Sequence, residues 1–165
     1  MPTIDELVKQ LGLLPHPEGG FYSETYRSAG GYGHPGEMQD YRSYSTAIYF
    51  LLIKGNFSAL HRIKSDEVWH FYLGDPVHIH IINPEGEYHC TILGNDFSKG
   101  EIPQYVVPAG WWFGSESVGE TGYSLVGCTV APGFDFADFE LAEKENLIAK
   151  FPQHKAFIEK FVRNM

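Results

Sequence analysis

Residues Gly55–Gly74 read GNFSALHRIKSDEVWHFYLG. His61 lies six positions after Gly55, Glu67 six after His61, and Gly74 seven after Glu67. Two runs rich in strand-forming residues, Ser58–Ile63 and Glu67–Leu73, flank the turn signal Lys64-Ser-Asp66. A β-hairpin is therefore predicted, with an imidazole on one arm and a carboxylate on the other. Alternate side chains of a strand share a face. If His61 points inward, Ala59 and Ile63 do so too, while Leu60 and Arg62 point away. If Glu67 points inward, Trp69 and Phe71 share its face, and Val68, His70 and Tyr72 take the other. Three uses of such a hairpin are open: a metal site, a catalytic site without metal, or a structural histidine.

The same strand-and-turn pattern extends outward in both directions. Strands are predicted at Phe21–Arg27, Ser45–Ile53, Val77–Asn83, Tyr88–Leu93, Gln104–Val107, Trp112–Ser115 and Tyr123–Val130. Turn signals such as KGN, GDP, PEGE, PAG and SVGETG separate those from Ser45 onward. Many short strands with no helix between them imply an antiparallel sandwich or barrel. Helical signals are confined to the two ends. Thr3 and Glu6 form a capping box before the apolar positions Ile4, Leu7, Val8 and Leu11, and Gly12 is a natural stop. At the other end Leu141, Leu147, Ile148 and Phe151, then Phe157, Ile158 and Phe161 beyond Pro152, predict one or two helices on the outside of the sheet. Ser28–Asp40, rich in glycine and polar residues, reads as a mobile loop. Neither a repeat nor a linker interrupts the chain, so residues 1–165 are read as a single domain.

Composition narrows the function classes. The chain has 165 residues, 43% of them hydrophobic and 15% aromatic, and a formal net charge of −9. That charge argues against a nucleic-acid backbone or an anionic membrane as partner, since either needs a positive footprint. The longest apolar run, Ala47–Ile53, has strand length and is too short to span a bilayer. The first ten residues, MPTIDELVKQ, are acidic and amphipathic, unlike a secretory leader. Cys90 and Cys128 lie in separate apolar runs and read as buried free thiols of a cytoplasmic protein.

The spacing around His61 resembles the first motif of the cupin superfamily, G-x5-H-x-H-x3-E-x6-G. Pro108-Ala-Gly110 followed by Trp111, Trp112 and Phe113 resembles the core of its second motif, P-x-G-x2-H. That resemblance implies three imidazoles and a carboxylate around a divalent metal. This chain departs from it, with Ile63 and Phe113 at the second and third histidine positions. No metal or other cofactor is expected in the barrel, because two ligands rarely hold a divalent ion. The runs HPEGGFYSETYRS, HRIKSDEVWHFYLG, PQYVVPAGWWFGS and LVGCTVAPGFDFADFELA are similar to one specific family, cupin-5, a domain of unknown function. The resemblance implies an all-β double-stranded β-helix, the cupin jelly-roll barrel, with short N- and C-terminal helices. It also implies a homodimer, in which the N-terminal strand is expected to cover an edge of the partner's sheet.

One imidazole and one carboxylate inside an aromatic wall is a pattern suited to a small-molecule ligand. Such a wall disfavours charge, so Glu67 is expected to be harder to ionise and His61 harder to protonate unless they pair. Similarity to the dTDP-4-dehydrorhamnose 3,5-epimerase class implies one chemistry: a histidine oriented by a carboxylate removes a proton beside a ketone, and a tyrosine returns one. On that reading His61 is the base and Glu67 its partner or a second acid–base group. Tyr22, Tyr26 or Tyr49 is the donor, and Glu24 and Arg27 bind substrate polar groups. Trp69, Phe71 and Phe113 line the site, and the ligand is a small polar molecule such as a sugar or sugar nucleotide. A non-catalytic binder or sensor stands beside this reading, as does a metal-dependent cupin enzyme with an atypical ligand set. His78-Ile-His80 repeats the HxH spacing but lacks the following glutamate, and reads as a solvated or sheet-packing pair. His70 reads as a satisfied structural histidine, Trp111 and Trp112 as barrel packing. Asp135, Asp138 and Glu140 read as caps of the C-terminal helix.

Overall fold

The structure, a computed structural model, describes residues 1–17, 19–33 and 41–163. Part of the Ser28–Asp40 loop, residues 34–40, lies outside them. Helix α1 spans Ile4–Leu11 with the predicted capping box in place, and Gly12 closes it at φ 63°. Strands follow at β1 (Leu14–Pro15), β2 (Phe21–Arg27), β3 (Gly31–Tyr32), β4 (Arg42–Ser43), β5 (Thr46–Ile53), β6 (Phe57–Arg62) and β7 (Asp66–Gly74). Then come β8 (Val77–Ile82), β9 (Tyr88–Leu93), β10 (Gln104–Val107), β11 (Trp112–Ser117), β12 (Tyr123–Ala131) and β13 (Glu140–Leu141). Helices α2 (Lys144–Lys150) and α3 (Lys155–Phe161) end the chain.

The strands form two antiparallel sheets facing each other, ordered β1-β2-β5-β12-β7-β10 and β13-β6-β11-β8-β9, with β3 and β4 paired separately. This is the double-stranded β-helix. β6 and β7 do not pair as the predicted hairpin: the turn between them carries the chain from the smaller sheet to the larger one, so His61 and Glu67 approach the interior from opposite walls. The two motif glycines serve the turns: Gly55 has φ 86° and Gly74 φ 95°. A Cβ on Gly74 would also overlap the Tyr123 carbonyl oxygen. The N-terminal strand β2 pairs with β5 of its own chain.

Packing is layered. Phe50 and Leu52 of β5, Trp69 of β7, Ile79 and Ile81 of β8 and Phe113 of β11 share the core between the sheets. Helix α1 lays Leu7 on Leu51 and Leu125, the outward residues of the larger sheet. Helices α2 and α3 lay Leu147, Ile158 and Phe161 on Leu60, Ile82 and Trp112 of the smaller one. This explains why Ala47–Ile53 is nearly continuously apolar: part of it is covered on both faces.

The connection from β12 to α2 returns across one end of the barrel. Asp135 accepts a hydrogen bond from the Ala137 N–H and caps a short 3-10 turn, Phe136–Asp138. Arg42 donates from Nε to Asp138 Oδ2 at 2.8 Å and from Nη2 to Oδ1 at 3.0 Å. Arg62 Nε donates to Glu140 Oε2 at 2.8 Å. These three acids therefore fasten this crossing and do not cap α2, whose N-cap is Glu143. The Arg42 hydrogen bonds hold the Asp138 carboxyl below the usual carboxylate range, against the opposing effect of burial.

Two stability predictions follow from these contacts. Phe161→Ala empties a fully buried site between α3 and the smaller sheet, and should cost about 3–5 kcal/mol in urea unfolding with an unchanged m value; a cost below about 1 kcal/mol would show that α3 is not part of the cooperative unit. Asp138 has a native pKa below its unfolded value of about 3.9, so its contribution is present above that pH and disappears as pH falls through the native value. The stability gap between the parent protein and Asp138→Asn should therefore narrow on acidification below about pH 4, measured by urea midpoints across pH. A gap independent of pH would exclude this ion pair as a source of stability.

Candidate functional site

A cavity of about 340 Å³ opens at the end of the barrel crossed by residues 132–139. This is in the range of small-molecule sites. Its floor is Phe50, Trp69 and Cys128, with His61 and Ile63 from the smaller sheet and Glu67 from the larger. Tyr22, Glu24 and Arg27 of β2 form one side, and Phe134, Asp135, Phe136 and Phe139 form the cover.

His61 is 4% exposed. It stands directly opposite Phe113 across the β6–β11 pair, which puts both rings on the inner face. The Phe113 ring lies 4.1 Å from the imidazole, and Phe139 stacks with it at 5.2 Å and 30°. His61 Nδ1 is 2.7 Å from the Ala59 carbonyl oxygen. A carbonyl only accepts, so Nδ1 carries the proton of this bond and Nε2 carries the lone pair of the neutral ring. Glu67, 9% exposed, accepts a hydrogen bond from Trp69 Nε1–H at 3.2 Å.

Regular alternation would put Glu24 and Arg27 on opposite faces. The register of β2 against β5 shifts between Glu24 and Tyr26, so that Glu24 faces Ile48 and Arg27 faces Thr46. This bulge at Thr25 turns both charges to the inner face. Arg27 Nη2 donates to Glu24 Oε1 at 2.6 Å and to the Phe134 carbonyl at 3.0 Å, joining the side of the cavity to its cover.

Of the residues singled out in the sequence, His61, Glu67, Tyr22, Glu24, Arg27 and Trp69 meet around this cavity. Four others do not line it. Tyr49 lies opposite Ser23 and Gly127 and packs with the cluster under α1, on the outer face of the sheet. Tyr26 follows the bulge and is 54% exposed. Tyr22 is therefore the one of the three proposed proton donors that borders the cavity. Phe71 packs against the shared core, beyond Trp69. Phe113 supports the His61 ring from behind.

The sequence reading missed His16 and the cover. His16 borders the cavity with its ring edge-on to Tyr22 at 4.8 Å. The signal for the cover was the spacing of Phe134, Phe136 and Phe139 after a Pro-Gly pair, three large apolar side chains where a polar loop would carry none. Cys90 is exposed rather than buried, since β9 is the edge of its sheet. Cys128 is buried as expected. His70 lies between Thr129 and Gln104 at 3.1 and 3.3 Å, satisfied on the outer face. Trp112 packs under the C-terminal helices and Trp111 against the core.

The donor set tests whether the barrel fits the metal of the superfamily pattern. Ile63 and Phe113 stand beside His61 where that pattern has imidazoles. Among the described residues, no third His, Cys, Asp or Glu joins His61 and Glu67 in a cluster close enough to share an ion. The residues present do not fit a cupin metal centre. No helix among the described residues is long and apolar enough to cross a membrane.

Comparison with known proteins agrees with this architecture. Protein SO0799 from Shewanella oneidensis is 44% identical, with a TM-score of 0.89 and full coverage of both chains. A hypothetical protein from Leishmania major is 39% identical, with a TM-score of 0.91 over 99% of this chain and 100% of that one. The uncharacterized protein YML079W of Saccharomyces cerevisiae is 28% identical over 157 residues, 87% of this chain and 77% of its own length. Residues 5–142 match the family model Cupin_5, described as cupin superfamily (DUF985), and the chain belongs to that family.

Proposed function

We propose that the barrel binds a small polar, carbohydrate-like molecule and moves a proton on it without a metal ion in the barrel. The observation that carries the reading is the His61 tautomer: its Nδ1 proton is held by the Ala59 carbonyl, so Nε2 is the basic nitrogen of a residue bordering the cavity. In the reaction, Nε2 takes a proton from the carbon beside a ketone. The C–H electron pair moves into the carbonyl system as an enolate, and Tyr22 returns a proton to that carbon. Arg27 offers guanidinium donors to the carbonyl oxygen or to a phosphate of the ligand. Glu67, buried and accepting from Trp69 Nε1–H, is the second acid–base group bordering the cavity.

The reading extends to a cytoplasmic protein that binds neither nucleic acid nor membrane, which its net charge of −9 supports. It also extends to a homodimer. Support for the dimer comes from Tyr26, Tyr72 and Val106, exposed by 54%, 51% and 45% on the outer face of the larger sheet.

Incubation with keto-sugar nucleotides in deuterated water should give exchange at the carbon beside the ketone. His61→Ala should reduce that exchange at least about a hundredfold, while Tyr22→Phe should retain exchange and lose inverted product. Exchange unaffected by His61→Ala would remove it as the base. Binding without exchange would make the protein a ligand binder or sensor. In light scattering the protein should have the mass of two chains and Tyr72→Glu that of one; a one-chain mass for the parent protein would overturn the dimer.

A further inference from the structure

The smaller sheet carries a second group of chemically able side chains, on the face turned away from the barrel. Along β8, Val77, Ile79 and Ile81 enter the shared core, so His78 and His80 project outward. Cys90 of β9 lies directly opposite His80, and Glu116 of β11 directly opposite His78. Three adjacent strands thus deliver two imidazoles, a thiol and a carboxylate to one patch. One ligand atom each from His78, His80 and Cys90 lies within 4.8 Å of the other two. Glu116 Oε2 reaches His80 Nε2 at 3.0 Å.

We infer that His78, His80 and Cys90, with Glu116 as the fourth donor, form a site for Zn²⁺ on the outer face of the smaller sheet. Zinc accepts this mixture of imidazole, thiolate and carboxylate in tetrahedral geometry. Its usual bond lengths put donor atoms about 3.3–3.8 Å apart, so the group must contract by roughly 1 Å. The side chains free to make that movement are the outer ones, since Cys90 is exposed and His78 half-buried. The central ligand is the fixed one. His80 is 8% exposed, and the rings of Phe157 and Phe161 lie 5.4 and 4.7 Å from it. Burial lowers the pKa of His80, favouring the neutral ring that a metal requires, although the Glu116 hydrogen bond acts in the opposite sense. Tyr88 Oη, 2.6 Å from His80 Nδ1, is the neighbouring hydroxyl that orients the ring or yields its place to the ion. Lys160 Nζ, 3.9 Å from Glu116 Oε2, is the competing cation and must swing away. On binding, the Cys90 S–H proton passes to solvent as the S–Zn bond forms, with no change of oxidation state.

The test uses the full chain, stripped with a chelator and titrated with Co²⁺ and then Zn²⁺. One Co²⁺ per chain should bind with a thiolate-to-cobalt charge-transfer band, and Zn²⁺ should displace it. Cys90→Ser should abolish the band, and both Cys90→Ser and His78→Ala should weaken Zn²⁺ binding at least about tenfold in competition with a chromophoric chelator. Both substitutions are at residues outside the fully buried core, and circular dichroism checks that they fold. His61→Ala, in the barrel, should leave band and affinity unchanged. Absence of stoichiometric binding, a spectrum without thiolate character, or affinity insensitive to Cys90→Ser and His78→Ala would overturn the site; so would loss of binding in His61→Ala.

Discussion

The hydrogen bond from His61 Nδ1 to the Ala59 carbonyl constrains everything proposed for the barrel. It joins two residues of one strand across the irregularity in its pairing with β11, so the strand that presents the imidazole also sets its tautomer. The register with β11 sets Phe113 against that ring, and the crossing segment adds Phe139. Phe113 stands where the superfamily pattern has its third imidazole, and Ile63 where it has its second. The outcome is a buried imidazole whose Nδ1 is tied to its own strand and whose faces meet aromatic rings.

Most of the fold was legible because its local signals agree with one another. The capping box, the Gly55 and Gly74 turns and the alternating strands each specify the same arrangement as the tertiary packing, which is the condition for reading a fold from local pattern. The inward positions of His61, Ile63, Glu67 and Trp69 followed from strand period alone. Where period failed, a geometric irregularity intervened. Tyr26 and Arg27 took the faces they did because of one extra residue at Thr25, which no sequence pattern announces. Tyr49 was misread for a different reason. Strand β5 is apolar on both faces, so alternation of polarity could not say which face was the interior.

The cover was illegible for a third reason. Residues 132–139 have no regular period, and their acids were read as helix caps although Asp138 answers to Arg42, 96 positions before it in sequence. Only tertiary structure supplies Arg42 as the partner of Asp138. The short strands β1, β3, β4 and β13, two residues each, escaped detection similarly: pairs that short take their geometry from the strand beside them. The histidines of β8 read as a solvated or sheet-packing pair, and their neighbours Cys90 and Glu116 come from flanking strands. Cross-strand neighbours of that kind are set by register, which a single sequence does not display.

The segment 132–139 is fastened over the cavity by two kinds of contact that respond differently to dissolved salt. Its clasps are polar: Arg42 to Asp138, Arg62 to Glu140, and the Arg27 guanidinium to the Phe134 carbonyl. Its inner surface is aromatic. Dissolved electrolyte weakens the first kind of contact and leaves the second intact. Ionic strength therefore acts on the ionic fastening of this segment while its aromatic packing stays in place, so that the two halves of one closure answer to different solution conditions.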